Sequence, residues 1–200
     1  TMAAAQKLYQ AGKITYMRTD SVNLSGQAIA AATEFIKRLY GPEYSTVRKF
    51  KTKSASAQEA HEAIRPTDIS RESVTSNEYD QKLYDLIRRR TLASQMSPAK
   101  LEKTTVTIDI VSESTNKPAK LHFEAKGEVI VFDGFLRIYG ASKEELLPKL
   151  SSGDELETHH IEARRVFARP PARFTEGSLV KKLEDLGIGR PSTYATIIDT

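Results

Sequence analysis

A tyrosine and an arginine two residues apart could together act on a phosphodiester. Tyr16 and Arg18 lie in the stretch Ile14-Thr15-Tyr16-Met17-Arg18-Thr19-Asp20-Ser21. The β-branched and aromatic residues of Ile14–Met17 predict a strand, on which side chains two apart face the same way. A phenol is a weak nucleophile at neutral pH, and a nearby guanidinium favours its anion and can stabilise charge on a phosphate oxygen. The alternative is a tyrosine packed on a core, with an Arg18–Asp20 ion pair at the surface.

A histidine and an arginine form a second candidate group. The residues from Gln58 to Ile64 predict a helix that Pro66 ends. His61 and Arg65, four apart, would share a face of that helix, and both can donate hydrogen bonds to phosphate. A zinc protease site is excluded, because H-E-x-x-H requires a second histidine and Arg65 stands in its place. A surface helix with Glu62 paired to Arg65 remains the alternative.

A third candidate lies near the carboxyl end of the chain. Gly189 allows a turn, and Arg190 precedes a predicted helix that Ser192 can cap, with Thr193 beside it. Hydroxyls beside free backbone N–H groups at a helix start can bind an anion. The stretch is not a Walker loop, because no lysine precedes the Ser/Thr pair. An ordinary connection between two helices explains the same residues.

The elements that must hold these residues change in type along the chain. Helical patterns cover residues 3–9, 25–40 and 77–96, with Ser76 as the cap of the last and its apolar stripe on Tyr79, Leu83 and Ile87. Period-two patterns then predict strands at 104–110, 121–125, 129–132 and 155–163. Helix returns at 177–186 and again after Ser192. The sequence therefore predicts an α+β fold.

Composition narrows the class of protein. The 200 residues are 39% hydrophobic and 28% charged, as in ordinary folded soluble proteins. No apolar run approaches the roughly 20 residues of a membrane helix, and the absence of Cys excludes disulfides and thiolate metal sites and fits the cytoplasm. Residues 1–100 hold 16 Lys or Arg against 10 Asp or Glu. This basic half suits a polyanion such as DNA, although a solvated positive surface explains it equally well.

Five segments, taken in chain order, resemble the signatures of one enzyme family. Together they are similar to the type IA DNA topoisomerases, and Met17 between Tyr16 and Arg18 resembles the bacterial form of the active-site motif, where topoisomerase III enzymes commonly have proline. The segments are Gly12–Ser21, Gln58–Thr67, Gln95–Lys100, Pro170–Glu176 and Gly187–Ala195. Their order and their spread over nearly the whole chain make the resemblance specific.

The resemblance implies a division of the chain and a role for each candidate residue. Residues 1–98 would form a mostly helical, winged-helix-like domain, 99–172 a β-rich arch that serves as the hinge of a gate, and 173–200 the start of a helical base domain. Tyr16 would be the nucleophile, with Arg18 beside it. His61 would lie near the active site and, like Arg65, help to hold single-stranded DNA. The DNA-backbone contacts at the end of the chain would come from Arg190, Ser192 and Thr193.

The resemblance also implies parts that lie elsewhere. In the family, an acidic cluster in a separate domain binds Mg²⁺, and no Asp-x-Asp-x-Asp cluster occurs in this sequence. We therefore expect an internal piece of a longer cytoplasmic, nucleoid-associated enzyme, with DNA and the remaining domains as its partners, no metal of its own and no activity alone. A DNA-binding module without chemistry, a protein-binding scaffold and a reverse gyrase stay open as alternatives.

Overall fold

The computed structural model describes residues 1–50, 61–111, 118–140 and 144–199. Over those residues the chain forms six α-helices, one 3-10 turn at Pro42–Tyr44 and one antiparallel two-stranded sheet. In chain order they are α1 Met2–Gln10, α2 Gly26–Tyr40, α3 Glu78–Ser94, β1 Lys100–Val111, β2 Pro118–Phe132, α4 Leu136–Tyr139, α5 Glu176–Asp185 and α6 Tyr194–Ile198. The predicted α+β class is confirmed. The boundaries at 98 and 172 remain predictions.

A first hydrophobic core joins α1 to the residues on either side of Tyr16. Leu8 of α1 packs with Ile14, Met17 and Tyr84 of α3, and each of these side chains is at most 5% exposed. The buried Tyr84 hydroxyl donates to two backbone carbonyls in the connection before α3, so its polar atom is satisfied. This packing fixes the backbone on both sides of Tyr16.

A second core lies between α2, α3 and the base of the sheet. Its buried members are Phe35, Ile36, Tyr44, Leu92 and Met96, and Phe132 and Phe135 pack against them. Phe132 is the last residue of β2 and Phe135 follows the strand, so these two phenylalanines help to attach the sheet to the helical part. Because they pack against the helices, apolar area at the base of the sheet is removed from water, which two strands alone could not do.

Two details of α3 differ from the sequence prediction. Its cap is Asn77, whose side chain accepts a hydrogen bond from Asp80 N at 3.0 Å, rather than Ser76. Tyr79, predicted on the apolar stripe, is 58% exposed, whereas Tyr84 is 1% exposed. The first helical residue of α3 is Glu78, two positions after residue 76. Because α1 and α2 pack against α3, they determine which face of the helix is buried, and that face does not follow the most regular apolar spacing.

Three strands were predicted between α3 and residue 133, but the structure has two, because those predicted at 121–125 and 129–132 form the single strand β2. β1 and β2 pair antiparallel, with Thr104 opposite Gly127 and Ile108 opposite Phe123. Leu121 is 75% exposed and Phe123 46% exposed. A lone pair of strands has no second layer to cover its faces, so both faces of this arm are largely open to solvent.

The strand predicted over residues 155–163 is wrong. The structure gives residues 155–163 no regular secondary structure, and all of them are exposed. An alternating pattern forms a strand only where another strand supplies hydrogen-bond partners, and no described strand lies beside it. Regular structure returns with α5, which Thr175 and Ser178 cap reciprocally. In the part of the chain that the structure describes, no helix is long and apolar enough to span a membrane.

Candidate active site around Tyr16

The segment that carries Tyr16 is not a strand. Only Ile14 pairs, through an isolated antiparallel bridge to Pro66, and the backbone bends at Thr15, Met17 and Arg18. Ile14 and Met17 are both buried, at 1% and 5% exposure. Side chains three apart cannot share one face of a regular strand, so the chain must bend between them. The strand prediction for Ile14–Met17 is wrong because core packing, not sheet pairing, fixes this segment.

Thr15 attaches this segment to a distant part of the chain. Its backbone N donates to Arg65 O at 2.9 Å. Its hydroxyl donates to Ala63 O at 2.8 Å and accepts from Arg65 N at 2.9 Å. One residue before Tyr16, the backbone and side chain are therefore both fixed to residues almost fifty positions away.

The Tyr16 ring itself is accessible. It is 39% exposed and meets two aromatic side chains edge to face, Tyr9 at 5.2 Å and His61 at 6.1 Å between ring centroids. Together with Thr15 and Glu62 these rings line an open cavity of about 430 Å³. No residue within the described ranges hydrogen-bonds the Tyr16 hydroxyl, so the phenol oxygen is available to an incoming group.

Arg18 is near Tyr16 in sequence and is also exposed, with the buried Met17 between them. Among the described residues, no ion pair joins Arg18 to Asp20, so the pairing suggested by the sequence does not form there. Ser21, at the end of the same stretch, is only 6% exposed, and its Oγ accepts a hydrogen bond from Asn23 N at 3.2 Å. The guanidinium of Arg18 therefore stays available, whereas the hydroxyl of Ser21 is turned into the protein.

His61 reaches the cavity by a route that the sequence did not predict. Residues 58–60 of the predicted helix lie outside the described residues, and residues 61–64 are not helical. Ala63 N donates to Asn23 O at 2.7 Å instead of to a helical carbonyl. The His61 Nδ1 atom is buried and has no hydrogen-bond partner in the described part of the chain. His61 does lie beside Tyr16, but the helix that was predicted to carry His61 does not form at residues 61–64.

Arg65 lies beside the same cavity wall, but its guanidinium is already hydrogen-bonded within the protein. Its Nε and Nη2 atoms both donate to Glu62 Oε2, at 3.1 and 2.6 Å, and its Nη1 donates to Pro66 O. Only 18% of its side chain is exposed. This Glu62–Arg65 pair was the alternative reading of the sequence, and it forms without the helix.

The electrostatics of Glu62 follow from the same contacts. Burial by itself raises the pKa of the Glu62 carboxyl, but hydrogen bonds from Arg65 and Ser25 together outweigh burial and hold the pKa below its ordinary value of 4.5. The carboxylate is therefore ionised at neutral pH, and its charge is balanced within the protein by Arg65.

The third candidate group lies on a tight turn. Arg190 N donates to Thr193 Oγ1 at 2.9 Å, and Thr193 N donates to Arg190 O at 2.8 Å. Thr193 rather than Ser192 is the residue before α6, and its side chain makes no cap hydrogen bond. Burial raises the pKa of the next residue, Tyr194, and the charges of Glu184 and Asp20 add to that effect.

Two contributors to the site were missed by sequence reasoning. Tyr9 lies at the exposed end of α1, seven residues before Tyr16, and the turn at Gly12, where φ is +65°, returns the chain to it. Thr15 was read only as a strand residue. A glycine stop followed at once by the active-site stretch was the available signal for Tyr9, since it implies a chain reversal.

Potential metal ligands do not cluster in the part of the chain that the structure describes. Within the described ranges, no group of three or more His, Asp or Glu side chains could hold a metal ion. His159 and His160 are both exposed and belong to no such group. The residues around Tyr16 therefore do not fit a magnesium site.

Comparison with known proteins supplies the family. A family model described as DNA topoisomerase matches residues 1–200. The chain is 45% identical over 212 residues to DNA topoisomerase 1 of Zymomonas mobilis, covering 99% of this chain and 17% of the relative. It is also 45% identical over 202 residues to DNA topoisomerase 1 of Aquifex aeolicus, covering 100% of this chain and 37% of the relative. The chain thus spans well under half the length of these relatives.

The fold gives the same result. Full-length topoisomerase I from Thermotoga maritima is similar to this chain with a TM-score of 0.71 and 33% identity, over 99% of this chain and 33% of that one. Sequence and structure agree along the entire chain, so this chain belongs to the bacterial type IA DNA topoisomerases.

Proposed function

We propose that this chain supplies the nucleophile of a type IA DNA topoisomerase and that Tyr16 is that nucleophile. The observation that carries the proposal is the position of the Tyr16 ring. It is exposed, lines a cavity of about 430 Å³ and is bordered by His61. Packing holds the base of this phenol, and its hydroxyl makes no hydrogen bond to a described residue. The phenol is therefore suited to attack a phosphodiester.

The reaction conserves bonds. The Tyr16 oxygen forms a bond to a backbone phosphorus of single-stranded DNA, and the bond from phosphorus to the 3′ oxygen breaks. The phenol proton leaves, and the departing oxygen gains a proton to become a 3′-hydroxyl. The product is a 5′-phosphotyrosyl link. One phosphodiester replaces another, so the step is nearly isoenergetic and needs no ATP.

Arg18 and His61 would assist at the phosphate. A guanidinium near the reacting group stabilises charge on the non-bridging oxygens, and a preorganised donor does so without reorganising water. Arg18 is exposed and has no described ion-pair partner, which leaves its donors free for this task. His61 lies edge to face with Tyr16, so a phosphate at the phenol would also be within reach of the imidazole.

Contacts to the rest of the strand would come from the end of the chain. Arg190, Ser192 and Thr193 are exposed on the turn before α6. Arginine and hydroxyl donors suit phosphate oxygens without reading sequence. We assign the backbone contacts of the single strand to these three residues, and we expect the affinity to fall with salt.

The whole activity requires more than this chain. We propose that it works within a longer protein, whose remaining domains bind Mg²⁺ and complete the active site, and that this protein relaxes negatively supercoiled DNA by strand passage at the bacterial nucleoid. When bound, the magnesium ions would supply positive charge near the DNA phosphates. The two-stranded arm, attached through Phe132 and Phe135 to the helical part, would carry the opening motion.

Covalent trapping tests the central assignment. The longer protein containing this chain is incubated with Mg²⁺ and a 3′-labelled oligonucleotide, and a denaturing gel detects labelled protein. The wild type should form the adduct, and Tyr16→Phe should form none. Tyr139→Phe is a matched control, because Tyr139 is also 39% exposed but lies in α4 and does not line the cavity. An adduct that survives Tyr16→Phe overturns the proposal.

A further inference from the structure

The carboxylate of Glu62 joins the start of α2 to Arg65 next to the cavity. Its Oε1 atom accepts from Ser25 N at 2.6 Å, and its Oε2 atom accepts both Arg65 donors. We propose that Glu62 is a positioning residue for Tyr16, acting through Arg65 and Thr15 to hold the phenol in its reactive place. This inference rests on the proposed nucleophilic role of Tyr16.

The first step of the connection runs from Glu62 to Arg65. Two donors of the guanidinium converge on one carboxylate oxygen, and the third group of Arg65 is held by Pro66 O at 3.0 Å. A planar guanidinium fixed at three atoms leaves its side chain little rotational freedom. The side chain of Arg65 therefore restrains the backbone from which it extends.

The second step runs from the backbone of Arg65 to Tyr16. Arg65 O accepts from Thr15 N at 2.9 Å, and Arg65 N donates to Thr15 Oγ1 at 2.9 Å. Thr15 is the residue before Tyr16, so displacement of Arg65 would move the peptide that carries the phenol. Reactions of this kind are sensitive to shifts of about 1 Å, which can cost on the order of a hundredfold in rate.

The other oxygen of Glu62 fixes the segment from the opposite side. Ser25 is the N-cap of α2, and its side chain accepts from Ala28 N at 3.3 Å while its backbone N donates to Glu62. Ala63 N donates to Asn23 O at 2.7 Å, two residues before that cap. The 61–66 segment is thus held between α2 and the Tyr16 segment, with Glu62 bonded to Ser25 on the first side and, through Arg65, connected to Thr15 on the second.

The charge of the pair fits a positioning role better than a phosphate-binding role for Arg65. Glu62 lines the cavity and is 30% exposed, so an unpaired carboxylate there would repel a DNA phosphate. Pairing with Arg65 neutralises it. The same pairing occupies Arg65, which leaves Arg18 and His61 as the donors free to meet the phosphate.

The experiment separates the rate of adduct formation from DNA binding, in the longer protein that contains this chain. Single-turnover adduct formation is measured at saturating oligonucleotide, and the Kd is measured without turnover. For Glu62→Ala we expect a rate loss between about tenfold and hundredfold, with less than about a threefold change in Kd. Glu62→Gln keeps an oxygen for Ser25 but loses the charge that holds Arg65, so its rate loss should be several-fold.

A matched control exists in α3 and the connection before it. Glu72 pairs with Arg88 at 3.1 Å, and the Arg88 side chain is 13% exposed, close to the 18% of Arg65. Neither residue lines the cavity, so Glu72→Gln should keep the wild-type rate. If Glu62→Ala does not fold, Glu62→Gln decides the question.

The outcomes distinguish this inference from the proposed function. A wild-type protein that forms no adduct, or an adduct that persists in Tyr16→Phe, removes the nucleophilic role of Tyr16. With that role intact, a Glu62 variant that reacts at the wild-type rate overturns the inference. So does a loss that lies entirely in Kd, because Glu62 and Arg65 would then act in binding DNA.

Discussion

The rings of Tyr9 and Tyr16 meet edge to face, with their centroids 5.2 Å apart and their planes at 67°. Tyr9 is the next-to-last residue of α1, is 40% exposed and lines the cavity beside Tyr16. Such pairs contribute about 0.5 to 1.5 kcal/mol beyond area burial. Tyr9 therefore restricts the orientations open to the Tyr16 ring.

Replacing Tyr9 should slow adduct formation without unfolding the protein. In Tyr9→Leu the ring contact is lost, and we expect adduct formation to fall by a factor of about 3 to 10, corresponding to the energy of one aromatic pair. Tyr9→Phe keeps the ring and should retain most of the rate. The measurement is the single-turnover rate at saturating oligonucleotide.

The control for Tyr9→Leu is Tyr139→Leu. Tyr139 makes a comparable edge contact with Phe135, at 6.2 Å and 78°, but at the base of the arm rather than in the cavity. Equal rates for Tyr9→Leu and the wild type would show that the ring contact does not restrain Tyr16.

The hydroxyl of Thr15 should contribute measurably to stability. It donates to Ala63 O and accepts from Arg65 N, and Thr15→Val leaves both groups without that partner in a half-buried place. We expect a loss of about 1 to 3 kcal/mol in the free energy of unfolding, measured by urea titration of the chain. Thr15→Ser keeps the hydroxyl and should lose less.

Thr107→Val provides the comparison for Thr15→Val. Thr107 lies in β1, is exposed and makes no hydrogen bond through its side chain to any described residue, so the free energy of unfolding should change by less than about 0.5 kcal/mol. If the two substitutions change the free energy of unfolding equally, the hydrogen bonds of the Thr15 hydroxyl do not contribute to stability, because hydrogen bonds to water replace them fully.

Local patterns were sufficient to predict the elements that flank the site. The alternation of Thr104–Ile110 predicted the first strand of the arm, and glycine at position 12 predicted the end of α1. The two strands predicted at 121–125 and 129–132 both lie in the second strand of the arm. Such signals lie within a few residues of one another, where propensity and periodicity act. The existence of these elements was therefore readable from sequence, although the cap and the buried face of α3 were not.

The geometry of the site could not be read in the same way. Residues 61–64 belong to the helix predicted from Gln58 to Ile64, yet the backbone groups of Ala63 and Arg65 bond to Asn23 and Thr15, roughly forty to fifty residues away. Tertiary hydrogen bonds of this kind override local propensity, which amounts to less than about 1 kcal/mol per residue. For the same reason Tyr16 and His61 come together without the strand and the helix that were expected to hold them.

The paired carboxylate of Glu62 should make stability depend on acid pH. Its folded pKa lies below the ordinary value of 4.5, so its stabilising contribution is present above about that pH and is lost as the pH falls through the folded pKa. When the pH is lowered from 7 to below 4.5, we expect the free energy of unfolding to fall less in Glu62→Gln than in the wild type. Thermal unfolding midpoints across that range provide the measurement.

Some acid sensitivity should remain in Glu62→Gln. Hydrogen bonds from Ser70 also lower the pKa of Asp68, and that contribution is unchanged in the variant. If both proteins lose stability in parallel on acidification, the Glu62 carboxylate does not gain stability from Arg65 and Ser25.

Gly134 is the position at the base of the arm where a side chain is least tolerated. Its φ is +50°, and a Cβ there would lie 2.5 Å from Ser97 O and 2.6 Å from Pro98 C. Both are backbone atoms held by the hydrogen bond from Phe135 N to Ser97 O, so they cannot move aside as a flexible side chain would. Gly134→Ala should therefore lower the free energy of unfolding by at least about 1 to 3 kcal/mol.

Gly26→Ala is the matched substitution, because Gly26 begins α2 and nothing lies within 4 Å of its added Cβ. In a helix alanine is favoured over glycine by up to about 1 kcal/mol, so this variant should be as stable as the wild type or slightly more. Urea unfolding of both variants decides the point. If Gly134→Ala unfolds at the same urea concentration as Gly26→Ala, the arm is not held tightly against Ser97 and Pro98, and its attachment is looser than the contacts at its base indicate.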